Sequence, residues 1–372
     1  MTHRPTRDSS IRYYKKVSAK DLAYPVHIGE QLQGVCLDLL KSYPKIALIT
    51  NDTILNLYGR GFIMDLEDGS PDIFRIKVKD GEEYKNIDIL NQIYLELAVN
   101  GLGRDGLIIA LGGGVIGDLA GFAAATFMRG LDYIQVPTTL LAMVDSSIGG
   151  KTGINLPLGK NMVGSFHQPR AVFSDLDFLD TLPIREFRSG LMEVIKYGLT
   201  LDSSLYAFIT ENKGPIRERK RDTIAHLIYR SCRLKGGIVC QDERDTGIRS
   251  VLNFGHTVGH ALESYTHYDV YLHGEAVALG SLVIIRYLVE KGVLDRGFLK
   301  GFEEILEFFE LPTSIPARFE IDQIMRHLSF DKKRLKGENQ WVTLRQVGSA
   351  AWKTSINKKQ IKGVLKGLQK DA

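Results

Sequence analysis

Three histidines, His256, His260 and His273, fall within eighteen residues in GHTVGHALESYTHYDVYLHGEA, with His267 between them. His256 and His260 are four apart, so a helix would carry both on one face, and His273 heads the next helical run. A metal needs convergent ligands, and a catalytic zinc commonly takes three protein donors and keeps a further position open. The glutamate of H-E-x-x-H is missing here, which argues against a zincin-type peptidase. A carboxylate from elsewhere would complete the set. Glu193, in the otherwise apolar segment SGLMEVIKYG, is the attractive candidate.

A second feature is ALGGGVIGD at 110–118, where Gly112, Gly114 and Gly117 satisfy G-x-G-x-x-G between a strand-like run and a helix start. Glycine lets the backbone approach a pyrophosphate, and a helix N-terminus offers it unpaired N–H donors. A tight turn made for packing is the plain alternative. The motif lies beyond the first βαβ unit, and Asp132 precedes the following strand instead of closing it, so this is not the usual dinucleotide fingerprint. The adenosine end of a dinucleotide would then be read elsewhere. DGEEYK at 80–85 offers Glu83 to a ribose hydroxyl and Lys85 to the cofactor, set against an exposed charged turn.

The stretch VDSSIGGKTGINLPLGKN at 144–161 gathers Lys151, Lys160 and Asn161 among glycines. Its GGKT is P-loop-like, but Asp145 stands where G-x-x-x-x-G-K-[ST] needs its first glycine. What survives is a flexible polar loop with two lysines and an aspartate. A connection of that length inside a domain more often carries function than not.

The elements that must position these residues alternate in type. Strand-like runs at 45–50, 72–78, 106–111, 132–137 and 171–176 are separated by helical patterns such as Ile87, Leu90, Ile93, Tyr94 and Leu97. That alternation predicts an α/β domain with a mostly parallel sheet. After TLPIREFRSG the strand signals fade and helical patterns dominate over 185–310. The boundary falls at Thr181-Leu182-Pro183, giving domains at 1–182 and 183–372, as a chain of 372 residues leads one to expect. WVTLRQVG followed by INKKQIKGVLKGL predicts a short strand or loop and a closing helix.

Apolar residues at 44% and charged residues at 25% are ordinary for a soluble globular protein. The net charge of +4 is spread without a basic block, so no nucleic-acid partner is expected. No stretch reaches ~18 uninterrupted apolar residues, and MTHRPTRDSSIRYYKK lacks the apolar centre of a signal peptide, so no membrane association is expected. Cys36, Cys232 and Cys240 are odd in number and lack CxxC spacing, which fits a reduced, cytoplasmic setting.

Taken together, ALGGGVIGDLAGFAAATFMRG, VPTTLLAMVDSSIGGKTGIN, GKNMVGSFHQP, GLMEVIKYG, DERDTGIRSVLNFGHTVGHALE and LHGEAVALG resemble the 3-dehydroquinate synthase family of sugar-phosphate cyclases. The resemblance runs in order over about residues 25 to 350. It implies a Rossmann-like nucleotide-binding α/β domain followed by a mainly α-helical metal-binding domain. It also implies NAD and one divalent metal, zinc or cobalt, in a cleft between the domains, and a homodimer.

By the same resemblance, Gly114, Val115, Ile116, Gly117 and Asp118 would hold the NAD pyrophosphate. Asp80, Gly81, Glu82, Glu83, Tyr84 and Lys85, with Thr138, Thr139, Phe178, Leu179, Asp180 and Thr181, would complete that pocket, and Lys151 and Lys160 would touch the cofactor. The metal ligands would be Glu193, His256 and His273, leaving His260 as a catalytic and substrate-orienting histidine. Arg129, Asp145, Lys151, Asn161, Lys196, Lys235, Arg249, Asn253 and Lys333 match positions that line the substrate and phosphate site.

The implied substrate is a small sugar phosphate, 3-deoxy-D-arabino-heptulosonate 7-phosphate. The implied reaction is transient oxidation at C5, loss of phosphate, re-reduction, ring opening and aldol closure to 3-dehydroquinate. A dianionic phosphate explains Arg129, Lys151 and Lys196, with Asn161 as a neutral donor, and His260 with Asp145 would form a proton relay. Two departures from the family pattern stand out: Asp245 in DERD replaces a common glutamate, and Gly236 and Gly237 follow Lys235 where side chains are common. The rival readings are a cyclase acting on glucose 6-phosphate or sedoheptulose 7-phosphate, an iron-dependent alcohol dehydrogenase, and a catalytically dead binding protein. The last would have lost at least one of Glu193, His256, His273 or Lys151, and all four are present.

Overall fold

The apolar runs IALITN and LIIALG become strands buried along their whole length, as expected for central strands covered on both faces. The computed structural model describes residues 10–19, 22–69, 72–329, 334–335, 338–339 and 341–371, so Lys333 lies outside the described residues. Its main sheet comprises β1 (Ser10–Ala19), β2 (Leu22–Glu30), β3 (Ile46–Asn51), β4 (Ile73–Val78), β5 (Leu107–Gly112), β6 (Asp132–Pro137) and β9 (Val172–Asp175). A separate hairpin, β7 (Lys151–Leu156) and β8 (Gly159–Phe166), precedes β9.

The sheet runs in the order β1-β2-β9-β6-β5-β3-β4, and every pairing is parallel except β1 with β2. The chain passes from β3 outward to β4, then returns to the other side of β3 with β5, which makes a topological switch point between β3 and β5. In open α/β sheets, ligands bind beyond the carboxyl ends of the strands at such a point. Helix α1 (Ile87–Val99), capped by Asn86 Oδ1 accepting from the amides of Asp88 and Ile89, buries Leu90, Ile93 and Leu97. With α2 (Gly114–Thr126) these side chains build the core against β3 and β5.

Residues 144–161 are not the flexible loop expected from their polarity. Lys151 to Phe166 folds into the β7–β8 hairpin because Gly153 pairs with Gly164 across it. A Cβ at Gly164 would lie 2.1 Å from Thr152 O, so only glycine permits this approach of the two backbones.

The chain separates into two compact units. One extends to Pro183 and takes in Ile228–Arg244, the C-terminal part of a long helix; the other holds Ile184–Leu227 and the chain from Asp245. The second unit is mainly helical, with α3 (Ile184–Leu201), the start of α4 (Arg221–Gln241), α5 (His256–Tyr265) and α6 (His273–Glu290). The tail forms the expected strand and helix, as the hairpin β10 (Trp341–Gln346) and β11 (Ser349–Thr354) followed by α7 (Lys358–Gly367). Among the described residues, no helix is long and apolar enough to cross a membrane.

Candidate active site

In the first unit the residues expected to hold a dinucleotide follow the carboxyl ends of four parallel strands. Asp80 to Lys85 follow β4, Gly114 to Asp118 follow β5, Thr138 and Thr139 follow β6, and Phe178 to Thr181 follow β9. Helix α2 begins at Gly114, and its cap, Gly113, supplies no side-chain acceptor to the first turn. The first-turn amides of Gly114, Val115 and Ile116 are thus left without a side-chain cap at a helix N-terminus, which suits a pyrophosphate. Gly117 does a different job from Gly114. A Cβ there would lie 2.6 Å from Gln135 Oε1, so this glycine lets the helix pack on β6.

Lys85 is buried and its ammonium contacts the Asp118 carboxylate and, at 2.6 Å, Asn161 Oδ1. Burial raises the Asp118 pKa, with Lys85 opposing the shift, so the lysine holds this carboxylate in place just past the first turn of α2. Asp80 accepts from Asn51 and Thr53, and Glu82 accepts from Asn155 Nδ2 at 2.7 Å with Lys160 Nζ 3.7 Å away. Glu83 is exposed, Gly81 turns the chain at φ +127°, and Tyr84 closes the short 3-10 turn Glu82–Tyr84.

Thr139 Oγ1 accepts from Ala142 N at 3.1 Å, and Thr138 N donates to Gly112 O at 3.0 Å. Beyond β9, Phe178 meets Tyr58 and Phe62 edge-on at 4.7 and 5.1 Å between ring centroids. The Tyr58 hydroxyl donates to Phe178 O at 3.2 Å and also bonds to Thr181. Leu179 is buried, while Asp180 and Thr181 are exposed. An apolar wall with a polar rim is what a purine needs.

The same unit holds the expected substrate residues Asp145 and Lys235. Lys235 Nζ donates to both Asp145 O and Asp145 Oδ1, each at 2.7 Å, and the lysine is buried. Lys151 is exposed at the start of β7. Arg129 is also exposed, on backbone with left-handed φ values at Met128 (48°) and Arg129 (71°), which non-glycine residues adopt only at a cost.

In the second unit α3, α5 and α6 bring together Glu193, His256 and His273, one ligand atom each within 4.8 Å of the others. Glu193 Oε1 lies 3.7 Å from His256 Nε2 and 3.6 Å from His273 Nε2. Donors bound at 2.0–2.2 Å to one tetrahedral ion sit roughly 3.3–3.6 Å apart, so the spacing fits a shared divalent cation. The backbone sets it. Gly274 N donates to Ser189 Oγ at 2.9 Å, and a Cβ on Gly274 would lie 2.0 Å from Ser189 O, so α6 rests backbone to backbone on α3.

Tautomer and charge favour the same conclusion. His256 Nδ1 is 3.0 Å from Phe254 O, and donation there leaves the Nε2 lone pair toward Glu193. Burial, then the charge of Lys196 and the neighbouring histidines, holds His256 well below the usual imidazole range, so it is neutral and able to ligate. Burial also acts to lower His273, but hydrogen bonds to Glu193 and Glu263 overcome it and carry its pKa to about 10. Two buried carboxylates thus draw a positive charge to this point.

Lys196, buried one helical turn after Glu193, contacts that carboxylate and lies 4.9 Å from the Tyr197 ring centroid. Arg249 is buried and Asn253 Nδ2 donates to Ser250 O at 3.1 Å, both on the 3-10 turn Ile248–Asn253. His260 is exposed on α5. Glu263, which motif reading passed over, is buried with Oε1 3.4 Å from His273 Nδ1. Its signal was available: His256, His260 and Glu263 stand at i, i+4 and i+7 on one helix face.

Residues 75–189 match the family model described as 3-dehydroquinate synthase N-terminal, and residues 190–334 match 3-dehydroquinate synthase C-terminal. A 3-dehydroquinate synthase of Shewanella loihica is 42% identical over 334 residues, covering 88% of this chain and 92% of the relative. One from Halorhodospira halophila is 44% identical over 336 residues, covering 90% and 93%. A solved structure of 2-deoxy-scyllo-inosose synthase complexed with carbaglucose-6-phosphate, NAD+ and Co2+ has a TM-score of 0.88 at 24% identity, covering 95% of this chain and 100% of the other. At that identity the likeness speaks for the fold.

Proposed function

Since the chain belongs to the 3-dehydroquinate synthase family, we propose that it converts 3-deoxy-D-arabino-heptulosonate 7-phosphate to 3-dehydroquinate and phosphate. It acts as a phosphate-eliminating lyase dependent on NAD and on one divalent metal, zinc or cobalt. The observation that carries this reading is the convergence of Glu193, His256 and His273 at the spacing of metal ligands. Glu193, His256 and His273 would hold the metal, which would supply Lewis-acid polarisation of a substrate hydroxyl, and the nicotinamide would supply reversible hydride storage.

The protein's own residues bind, orient and move protons. Gly114 to Asp118 hold the pyrophosphate, with Asp80 to Lys85, Thr138, Thr139, Lys160 and Phe178 to Thr181 around the rest of the cofactor. Lys151, Arg129 and Lys196 supply the cations that a dianionic phosphate requires, and Asn161 a neutral donor. His260 takes the hydroxyl proton, and Asp145 is the second residue assigned to proton relay. Asp145 is fixed for this work by the two contacts from Lys235. Arg249, Asn253 and Lys333 complete the substrate contacts. The departing phosphate itself takes the C6 proton, so the chain's contribution to elimination is fixed geometry.

In each protomer of a cytoplasmic homodimer, residues 1–182 form the cofactor-binding domain and 183–372 the metal- and substrate-binding domain, with Arg129, Asp145, Lys151 and Asn161 as further substrate residues in the first. Substrate choice is tested by inorganic phosphate release with equal enzyme on 3-deoxy-D-arabino-heptulosonate 7-phosphate, sedoheptulose 7-phosphate and glucose 6-phosphate. Polar recognition of the substrate predicts kcat/KM at least about a hundredfold higher for the first. Faster release from either of the others reassigns the enzyme within the sugar-phosphate cyclases.

A further inference from the structure

Glu263 is a buried carboxylate on α5, flanked by the buried Val258, Ala261 and Leu262. A charge in such surroundings persists only with a partner. Its Oε1 lies 3.4 Å from His273 Nδ1, on the side of the ring opposite the Nε2 that stands 3.6 Å from Glu193. The imidazole is therefore held at both nitrogens, by one carboxylate from α5 and one from α3. His256 has the corresponding restraint from a backbone carbonyl, Phe254 O, at its own Nδ1.

We propose that Glu263 is a positioning residue for the metal half-site: by accepting the Nδ1 proton of His273, it fixes the tautomer and ring orientation that present Nε2 to a divalent cation. The proposal rests on reading Glu193, His256 and His273 as the ligands. A carboxylate behind a ligating imidazole raises the basicity of the opposite nitrogen as well as aiming it, and losing such a partner typically costs roughly 10–100-fold in metal affinity. The direct ligands are unchanged by its removal, so the coordination sphere keeps its composition while the binding weakens.

The test uses full-length parent protein, His256→Ala, Glu263→Gln and Glu263→Ala, each stripped of metal and titrated with Co²⁺ against a competing chelator. Visible absorption reports the coordination, and far-UV circular dichroism with thermal unfolding reports the fold. Glu263→Gln keeps a neutral acceptor and is expected to weaken Co²⁺ binding about tenfold, and Glu263→Ala about a hundredfold. At saturating Co²⁺ both keep the parental absorption band. Glu263→Ala, or Glu263→Gln if the alanine variant does not fold, binding Co²⁺ within about twofold of the parent would overturn the proposal, since a purely structural role shifts unfolding alone. Parent and His256→Ala binding Co²⁺ equally would instead remove the ligand reading, and this inference with it.

Discussion

Glu193→Gln protein is expected to bind Zn²⁺ or Co²⁺ at least about a hundredfold more weakly and to release phosphate roughly a thousandfold more slowly, about 4 kcal/mol in the barrier. Glutamine preserves the volume on a fully buried stretch of α3 but removes the only anionic donor of the triad. It also leaves the buried Lys196 ammonium without its carboxylate. Breaking one side of a buried pair costs about 3–5 kcal/mol, so the variant should also lose stability in urea. The double variant Glu193→Gln with Lys196→Met separates the two effects. It is expected to recover much of the stability and none of the metal affinity, and recovery of metal binding would contradict the ligand assignment.

Gly274→Ala should do comparable damage through the backbone. The added methyl would be placed 2.0 Å from Ser189 O and 2.6 Å from Ser189 C, and neither can swing aside as a side-chain tip would. Helix α6 must withdraw from α3, and His273, one residue away, must move off Glu193. Overpacking of this kind costs about 1–3 kcal/mol, and a ligand displaced by 1 Å costs on the order of a hundredfold in rate. Thermal unfolding and phosphate-release rate on one preparation check both, and a Co²⁺ titration shows whether the ligand has moved. Parental stability with parental affinity would mean that helix contact does not set the triad.

How much of this was legible in the sequence depends on the kind of residue. The strands at 46–51 and 107–112 are readable because an apolar run without helical period, closed by Asn51 or by glycine, has few other meanings. The triad is readable in part, since His256 lies in a histidine cluster and Glu193 is a lone carboxylate in an apolar segment, while their convergence with His273 needs tertiary knowledge of α3, α5 and α6. The β7–β8 hairpin was not readable: Lys151, Asn155 and Lys160 look like solvent-facing loop, and the pairing of Gly153 with Gly164 is a backbone contact that no side chain announces. β1 and β2 hide because polar residues such as Tyr13, Lys16 and His27 interrupt their apolar pattern. Glu263 is legible only in its spacing, which puts it on the helix face of His256 and His260. A single glutamate in HALESY looks like a solvated helix position until burial shows its carboxylate facing His273.

The most direct measurement is inorganic phosphate released from 3-deoxy-D-arabino-heptulosonate 7-phosphate with NAD⁺ kept below the enzyme's total turnovers, before and after EDTA and after Zn²⁺ or Co²⁺ is restored. The account predicts many phosphates per NAD⁺, no lasting rise in NADH absorbance, loss of release on chelation and its return with metal. NADH accumulating in step with substrate consumed, or release indifferent to chelation, would contradict it.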